Sequence, residues 1–373
     1  MAGLPTIEVQ MRAPLTALPS DLESLPDRPA VFLLWAGQGT PYLARTALLR
    51  RRLKRLISNR ERLSSVLNLR GVVERIEYWP AGSQLESALI HLDLAKRHFP
   101  DDVERITRLK PPVFLRLTVD NAFPRTMLTT RLGRGMFYGP FANRTGAERF
   151  QNEMLDLFQL RRCEENLAPA PDHPGCIYGE MNKCLRPCQQ VVSVEEYRGE
   201  AARVEQFLRT DGDSLHESAE TARDQASAAM QFEEAERMHQ RLVRIEAVQT
   251  SAGDLARVLD GLAGVAVVPS ANAESVALVF LAAGRWLEPR AFSFSEDAAF
   301  LENASMDRRL RDLCSGISPA LSADSPDLEH LAILVRWQGS SWRDGEWIGF
   351  DSFEKIPYRK IVNAVARVAS RGS

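Results

Sequence analysis

Four of the five cysteines in this 373-residue chain, Cys163, Cys176, Cys184 and Cys188, fall in one short segment, CEENLAPAPDHPGCIYGEMNKCLRPC. Their spacing, C-x12-C-x7-C-x3-C, runs through loop-rich sequence. Four thiolates carried on turns suit a tetrahedral zinc or an iron–sulfur cluster, and spacing alone does not separate the two. Cys314 stands apart and reads as a core residue. A second concentration is basic. Arg45, Arg50, Arg51, Arg52, Lys54, Arg55, Arg60 and Arg62 accompany a single acid, Glu61, over residues 45–62, although the net charge of the chain is only −2. Like charge at that density attracts an acidic partner, and nucleic-acid phosphate is one. The acids gather instead over residues 195–246, in a helical stretch that reads as solvated or protein-facing.

These groups need elements to hold them. AVFLLWAG (30–37) predicts a buried strand, GQGT a turn, PYLA a second short strand and residues 46–58 a helix. GVVERIEYWPAG (71–82) alternates as a strand with a Pro/Gly stop, and residues 83–100 predict a helix ended before Pro100. On the first helix, at about 100° per residue, Leu48, Leu49, Leu53, Leu56 and Ile57 share one arc and Arg52 falls inside it. A guanidinium on an apolar face needs an anion, either a buried carboxylate or a phosphate gripped in a cleft. Arg50, Arg51, Lys54 and Arg55 point outward as a DNA-binding face.

Further along, residues 113–119 and 126–132 predict a strand pair, with a helix near 145–159. From Val194 the pattern is helical, with Gly212 the break before a long run from Ser214 to Thr250. Within it, Ala226, Met230, Phe232, Ala235, Met238, Leu242 and Ile245 recur at three and four, as in an amphipathic helical pair. GLAGVAVVPS and SVALVFLAAGRWLEPRAFSF are strand-like, and a helix closes the chain near 357–370. The expected fold class is α+β. Its parts are a small α/β sandwich domain over 1–105, a cysteine-rich connecting segment over 106–193, a helical region over 194–252 and a small α+β domain over 253–373. No eighteen-residue apolar run and no leader pattern occur, so a cytoplasmic protein without a membrane partner is expected.

RPAVFLLWAGQGTPYLARTALLRRR resembles the GIY-YIG nuclease module of the UvrC/Cho family of excinuclease subunits. Carried over residue by residue, the resemblance places the family's first tyrosine at Phe32 and the second, the base toward water, at Tyr42. The lysine falls at Arg45, the helix arginine at Arg52 and the metal-holding glutamate at His91. Three of these five positions are changed, and the glycine of the YIG strand is Ala44. Arg45 keeps its charge, Phe32 loses a hydroxyl and His91 loses an anionic oxygen. A neutral imidazole is a poor magnesium ligand, and Glu86 and Asp93 lie on other faces of the same helix. The resemblance therefore implies a degenerate GIY-YIG site, using magnesium or manganese only if it is still nuclease-active. The other readings of His91 are a packed histidine, a ligand for a transition metal, or a site completed by an acid from elsewhere.

FQLRRC, PGCIYGEMNKCLRPC and VSVEEYR, preceded by MFYGPFANRTGAERF, are similar to the cysteine segment of the same family. That implies a structural [4Fe-4S] cluster, with zinc the alternative, held by Cys163, Cys176, Cys184 and Cys188. Arg161, Arg162, Lys183 and Arg186 would offset its charge or touch DNA phosphate. The helical pair resembles the UVR hairpin that docks on a UvrB-like protein. Phe232, Glu233 and Ala235 match FE-x-A, while His239 and Gln240 replace the usual Arg-Asp. The family's RNase H-like and helix-hairpin-helix domains are not expected within 373 residues. Asp344, Asp351 and Glu354 near Trp342 and Trp347 form no evident metal site. Three functions follow as expectations: a DNA-binding nucleotide excision repair protein with a degenerate nuclease site, a non-catalytic DNA- or UvrB-binding adaptor, and a redox-responsive regulator.

Overall fold

In the computed structural model, residues 14–372 are described except 38, 58–68, 70, 273, 295–304, 316 and 318–325. Arg60, Glu61 and Arg62 of the basic run lie outside the described residues. Strands β1 (Leu15–Ala17), β2 (Ala30–Trp35), β3 (Tyr42–Thr46) and β4 (Arg75–Pro80) form an antiparallel sheet in the order β1-β4-β2-β3. AVFLLW has apolar side chains at every position because β2 is central and covered on both faces. Helix α1 (Leu49–Ile57) covers one face, where Leu49, Leu53 and Leu56 pack with Phe32, Leu34 and Ile76. Helix α2 (Gln84–His98) covers the other, where Ile90 and Leu94 meet Val31, Leu33 and Trp79.

Local chemistry sets the helix ends. Ser83 caps α2, its hydroxyl accepting the Glu86 N–H at 3.0 Å. The first helix starts three residues later than expected, because Thr46 is still paired with Ala30 in the sheet. A short helix, α3 (Val103–Thr107), completes this half.

Residues 111–262 are a separate compact unit. Strands β5 (Val113–Leu117), β6 (Thr126–Thr129) and β7 (Met136–Phe141) precede α4 (Arg144–Leu155), the four-residue α5 (Ile177–Glu180) and α6 (Val194–Arg209). Then come α7 (Asp213–Ala228), α8 (Phe232–Ala252) and β8 (Arg257–Val258), which joins the sheet in the order β6-β5-β7-β8. One core serves all of it: Tyr138, Phe150 and Phe158 pack with Tyr197 and Phe207 of α6 and Leu242 and Ile245 of α8. The expected segments 106–193 and 194–252 therefore fall within one unit. Within the run from Ser214 to Thr250, read from sequence as holding a helical pair, the two helices part at residues 229–231, where Met230 adopts φ 58°. Neither glycine nor proline marks that turn.

The chain then builds β9 (Ala263–Pro269), β10 (Ser275–Ala282), β11 (Arg285–Trp286), β12 (Arg290–Ser293), α9 (Met306–Ser315), α10 (Leu328–Gln338), β13 (Glu346–Phe350) and α11 (Tyr358–Gly372). The sheet order is β11-β10-β9-β13, with β12 also on β10. Leu310, Cys314, Ile361 and Val365 pack on Val265, Val267 and Phe280, so Cys314 is a core residue. Residues 263–373 form a single unit with residues 1–110. Lys96 of α2 pairs with Asp327 at 2.8 Å, and the Gln84 N–H donates to Asp344. Gly82 lies so close to the backbone of residues 269–271 that a Cβ would have no room. The class is α+β, as the sequence implied.

Candidate functional site

Strand register decides which of the expected nuclease residues can meet. Val31 pairs with Arg45, Phe32 with Ala44 and Leu34 with Tyr42. Side chains alternate along a strand, so Phe32 and Tyr42 share the α1 face, their rings 6.3 Å apart. Arg45 falls on the α2 face, with Leu43. There Arg45 and His91 line a cavity of about 280 Å³. Gln84, Arg336, Trp337 and Trp342 line it as well. Neither this cavity nor a second, of about 300 Å³, is lined by Phe32, Tyr42 or Arg52. Of the five expected positions the structure thus brings Arg45 and His91 together, and Phe32 and Tyr42 together, on opposite faces of the sheet. Arg52 is half-buried and has no ion pair among the described residues.

Arg336, Trp337 and Trp342 were not legible as site residues. They come from α10 and the loop after it, more than two hundred positions downstream, and only the polar Arg-Trp ending of the apolar run LEHLAILV hinted at them. Trp337 is buried, its indole N–H donating to Asp344 at 3.2 Å, while Trp342 is 82% exposed. Arg45 has its pKa lowered by burial and by the Arg336 charge. Neither guanidinium has a carboxylate partner among the described residues.

His91 is buried, and its pKa is pushed down to about 4, by burial first and then by Arg45 and Arg336. It is neutral at pH 7. An unfolded histidine titrates near ~6.5. Between there and about 4 the unfolded chain takes up a proton that the folded chain refuses. The stabilisation is fully present above the unfolded value and is lost as pH falls through that window, by roughly 3 kcal/mol at its acid end. His330 is depressed to about 4 as well, by burial. His91→Asn is therefore expected to remove part, not all, of the acid destabilisation. Urea midpoints measured from pH 7 to pH 4 check this, and a profile parallel to wild type would contradict it.

Glu86 and Asp93, the acids of α2, line a different cavity, of about 300 Å³. Glu86 accepts the Gly82 N–H, and Asp93 pairs with Arg97. Among the described residues, no carboxylate lines the cavity at His91. On the outward face of α1, Arg51 pairs with Asp27 at 2.9 Å and Lys54 with Glu23 at 2.6 Å. Arg50 donates to the Glu23 carbonyl, and Arg55 is exposed. The Lys54–Glu23 pair is exposed, and such pairs are worth little, whereas Asp27 is largely covered and also accepts the Arg51 backbone N–H.

In the cysteine segment, Cys184 and Cys188 are buried, Cys163 is half-buried and Cys176 exposed. Burial pushes the Cys184 thiol up to about 11, and Cys163, Cys176 and Cys188 are near enough to raise it further. Four thiolates in one neighbourhood repel each other and need a cation, which is how a metal or cluster would be accepted. Among the described residues, no three ligating side chains stand at finished metal-binding spacing. The chemistry of the donors fits the group; their geometry is open. Arg161, expected to offset the cluster's charge or to touch DNA phosphate, is fully buried beside Cys163, out of reach of DNA. It donates to the carbonyls of Phe123 at 3.0 Å and Glu165 at 2.9 Å, with Cys163 Sγ 3.5 Å away. Arg162 and Lys183 both hold Asp156, at 2.6 and 2.7 Å.

The helical pair α7–α8 closes through its turn with Met230 and Phe232 77% and 72% exposed. Glu233 is exposed and Ala235 half-buried. Large apolar side chains displayed at a tip are what a docking partner covers.

Residues 113–209 match the family model described as UvrC/Cho excinuclease, middle domain. Over 239 residues the chain is 27% identical to the UvrABC system protein C of Lachnospira eligens, covering 62% of this chain and 39% of that protein. It is 25% identical over 283 residues to the UvrABC system protein C of Dehalococcoides mccartyi (strain ATCC BAA-2100 / JCM 16839 / KCTC 5957 / BAV1), covering 75% and 46%. The chain thus spans less than half the length of these relatives. No solved structure matches it.

Proposed function

Since the chain is a UvrC-like member of the excinuclease family, we propose that it serves nucleotide excision repair as a DNA-binding protein whose GIY-YIG site has lost magnesium-dependent cleavage. The observation that carries this reading is His91. A buried, neutral imidazole beside two arginines takes the place of the carboxylate that would hold a hard cation. The acids of α2 are engaged elsewhere, and Tyr42 lies across the sheet. Arg50, Arg51, Lys54 and Arg55 would grip the DNA backbone, with an affinity that falls as salt rises. The exposed Phe232 tip would dock a UvrB-like protein. Cys163, Cys176, Cys184 and Cys188 would hold a [4Fe-4S] cluster or zinc, which would cross-link a segment with little core of its own.

The test is nicking of lesion-bearing duplex by anaerobically purified protein with a UvrB-type partner, in magnesium and then manganese. Native protein is expected to bind the duplex and leave it intact with either metal. Metal-dependent incision that disappears in Arg52→Ala would sink the reading in favour of a working nuclease. Incision appearing only in His91→Glu would support it, since it would locate the defect at the lost carboxylate.

A further inference from the structure

The 280 Å³ cavity has features that a merely decayed nuclease site does not require. Arg45 and Arg336 face it from distant parts of the sequence, close enough that each depresses the His91 pKa. Both guanidiniums keep solvent access, so water screens their repulsion, and an anion entering the cavity would be attracted by both. Among the described residues, no carboxylate lines the cavity. At its edge, Trp342 leaves 82% of its surface uncovered, on a chain segment fixed by the buried Trp337. An indole face free on a rigid support is a platform for a nucleobase. His91 and Gln84 add neutral polar groups.

Two cations match the charge of a phosphomonoester, about −1.5 to −2 near neutral pH, better than the single charge of a diester. Guanidinium forks fit its oxygens without a metal. The volume lies at the small end of ligand pockets, suited to one nucleotide rather than a strand passing through.

We infer that this cavity is a metal-free receptor for a nucleotide bearing a terminal phosphate, with Arg45 and Arg336 on the phosphate and Trp342 stacked on the base. The inference rests on the DNA-binding reading for its source of ligand, a phosphorylated strand end, and a free mononucleotide offers the same chemistry. It gives residues 263–373 a part in the site: they supply half of the receptor.

The experiment measures binding of the full chain, in EDTA, to short single strands ending in 5′-phosphate, 3′-phosphate or hydroxyl, with a deoxynucleoside monophosphate as competitor. A preference of about tenfold for one phosphorylated end is expected, lost in Arg336→Gln and reduced in Trp342→Ala. Both side chains are exposed, so neither change threatens the fold. Competition by the monophosphate alone would support the free-nucleotide source, and its absence the strand end. Equal affinity for phosphate and hydroxyl ends, or a preference surviving in Arg336→Gln, overturns the inference. Salt-sensitive DNA binding blind to end chemistry would do so while leaving the DNA-binding reading intact. Monophosphate binding without any DNA affinity would do the reverse.

Discussion

Gly82→Ala is expected to destabilise the unit formed by residues 1–110 and 263–373 by about 3 kcal/mol or more. The new methyl would collide with the backbone of Ser270 and Ala271 and stand 2.6 Å from the Pro269 carbonyl oxygen. Overpacking against side chains is often relieved by a rotamer change and costs ~1–3 kcal/mol. Here the obstacle is main chain, which has no rotamer to change. The same substitution at Gly199, in α6, meets nothing within 4 Å and is expected to stabilise the other unit, by roughly 0.5–1 kcal/mol. Urea unfolding of the two variants, followed by tryptophan fluorescence and far-UV circular dichroism, reads the difference. A Gly82→Ala protein as stable as wild type would mean that the two parts of its unit do not pack as described.

Arg161→Met is expected to cost the 111–262 unit roughly 2–6 kcal/mol, from two buried carbonyls that lose their donor at ~1–3 kcal/mol each. The guanidinium is 1% exposed and satisfies the carbonyls of Phe123 and Glu165. Methionine fills much of the volume but donates nothing, so both carbonyls would be left in a dry interior. The backbone link survives the substitution: the Tyr197 hydroxyl accepts the main-chain N–H of residue 161 at 2.9 Å and donates to the Pro124 carbonyl, so the loss is the guanidinium's alone. The readout is local as well as global. Cys184 and Cys188 are buried in wild type and should become rapidly reactive toward a thiol reagent in the variant. Unchanged labelling together with unchanged stability would refute the structural role.

The elements around β2, α1 and α2 were legible because short-range chemistry writes them: alternation, the Ser83 cap, the stop at Pro100. The position of the turn at Met230, inside the expected helical pair, was not, since the usual punctuation is missing and a non-glycine residue takes the left-handed conformation. For the site, Arg45 and His91 followed from a resemblance to a known motif. Arg336 and Trp342 could not follow from any local pattern, because what makes them neighbours of His91 is the packing of the C-terminal half on α2. Arg161 was legible as a cation beside the cysteines, and its guanidinium lies 3.5 Å from Cys163 Sγ; that it is buried and also holds the Phe123 and Glu165 carbonyls follows only from the tertiary environment.

One unit is assembled from the first 110 residues and those from 263 onward, with residues 111–262 between them. During synthesis the intervening unit has all of its sequence available before the last strands of the outer one are made. The early sandwich, with Gly82 and the Arg45 face uncovered, must wait for its complement. Contacts of such long sequence separation are slow to form, and chains waiting in that state expose apolar surface to their neighbours. The receptor at His91 would thus form only once residues 336–342 have been made and packed on α2, so ligand binding there would report that the two sequence-distant parts of the unit have paired.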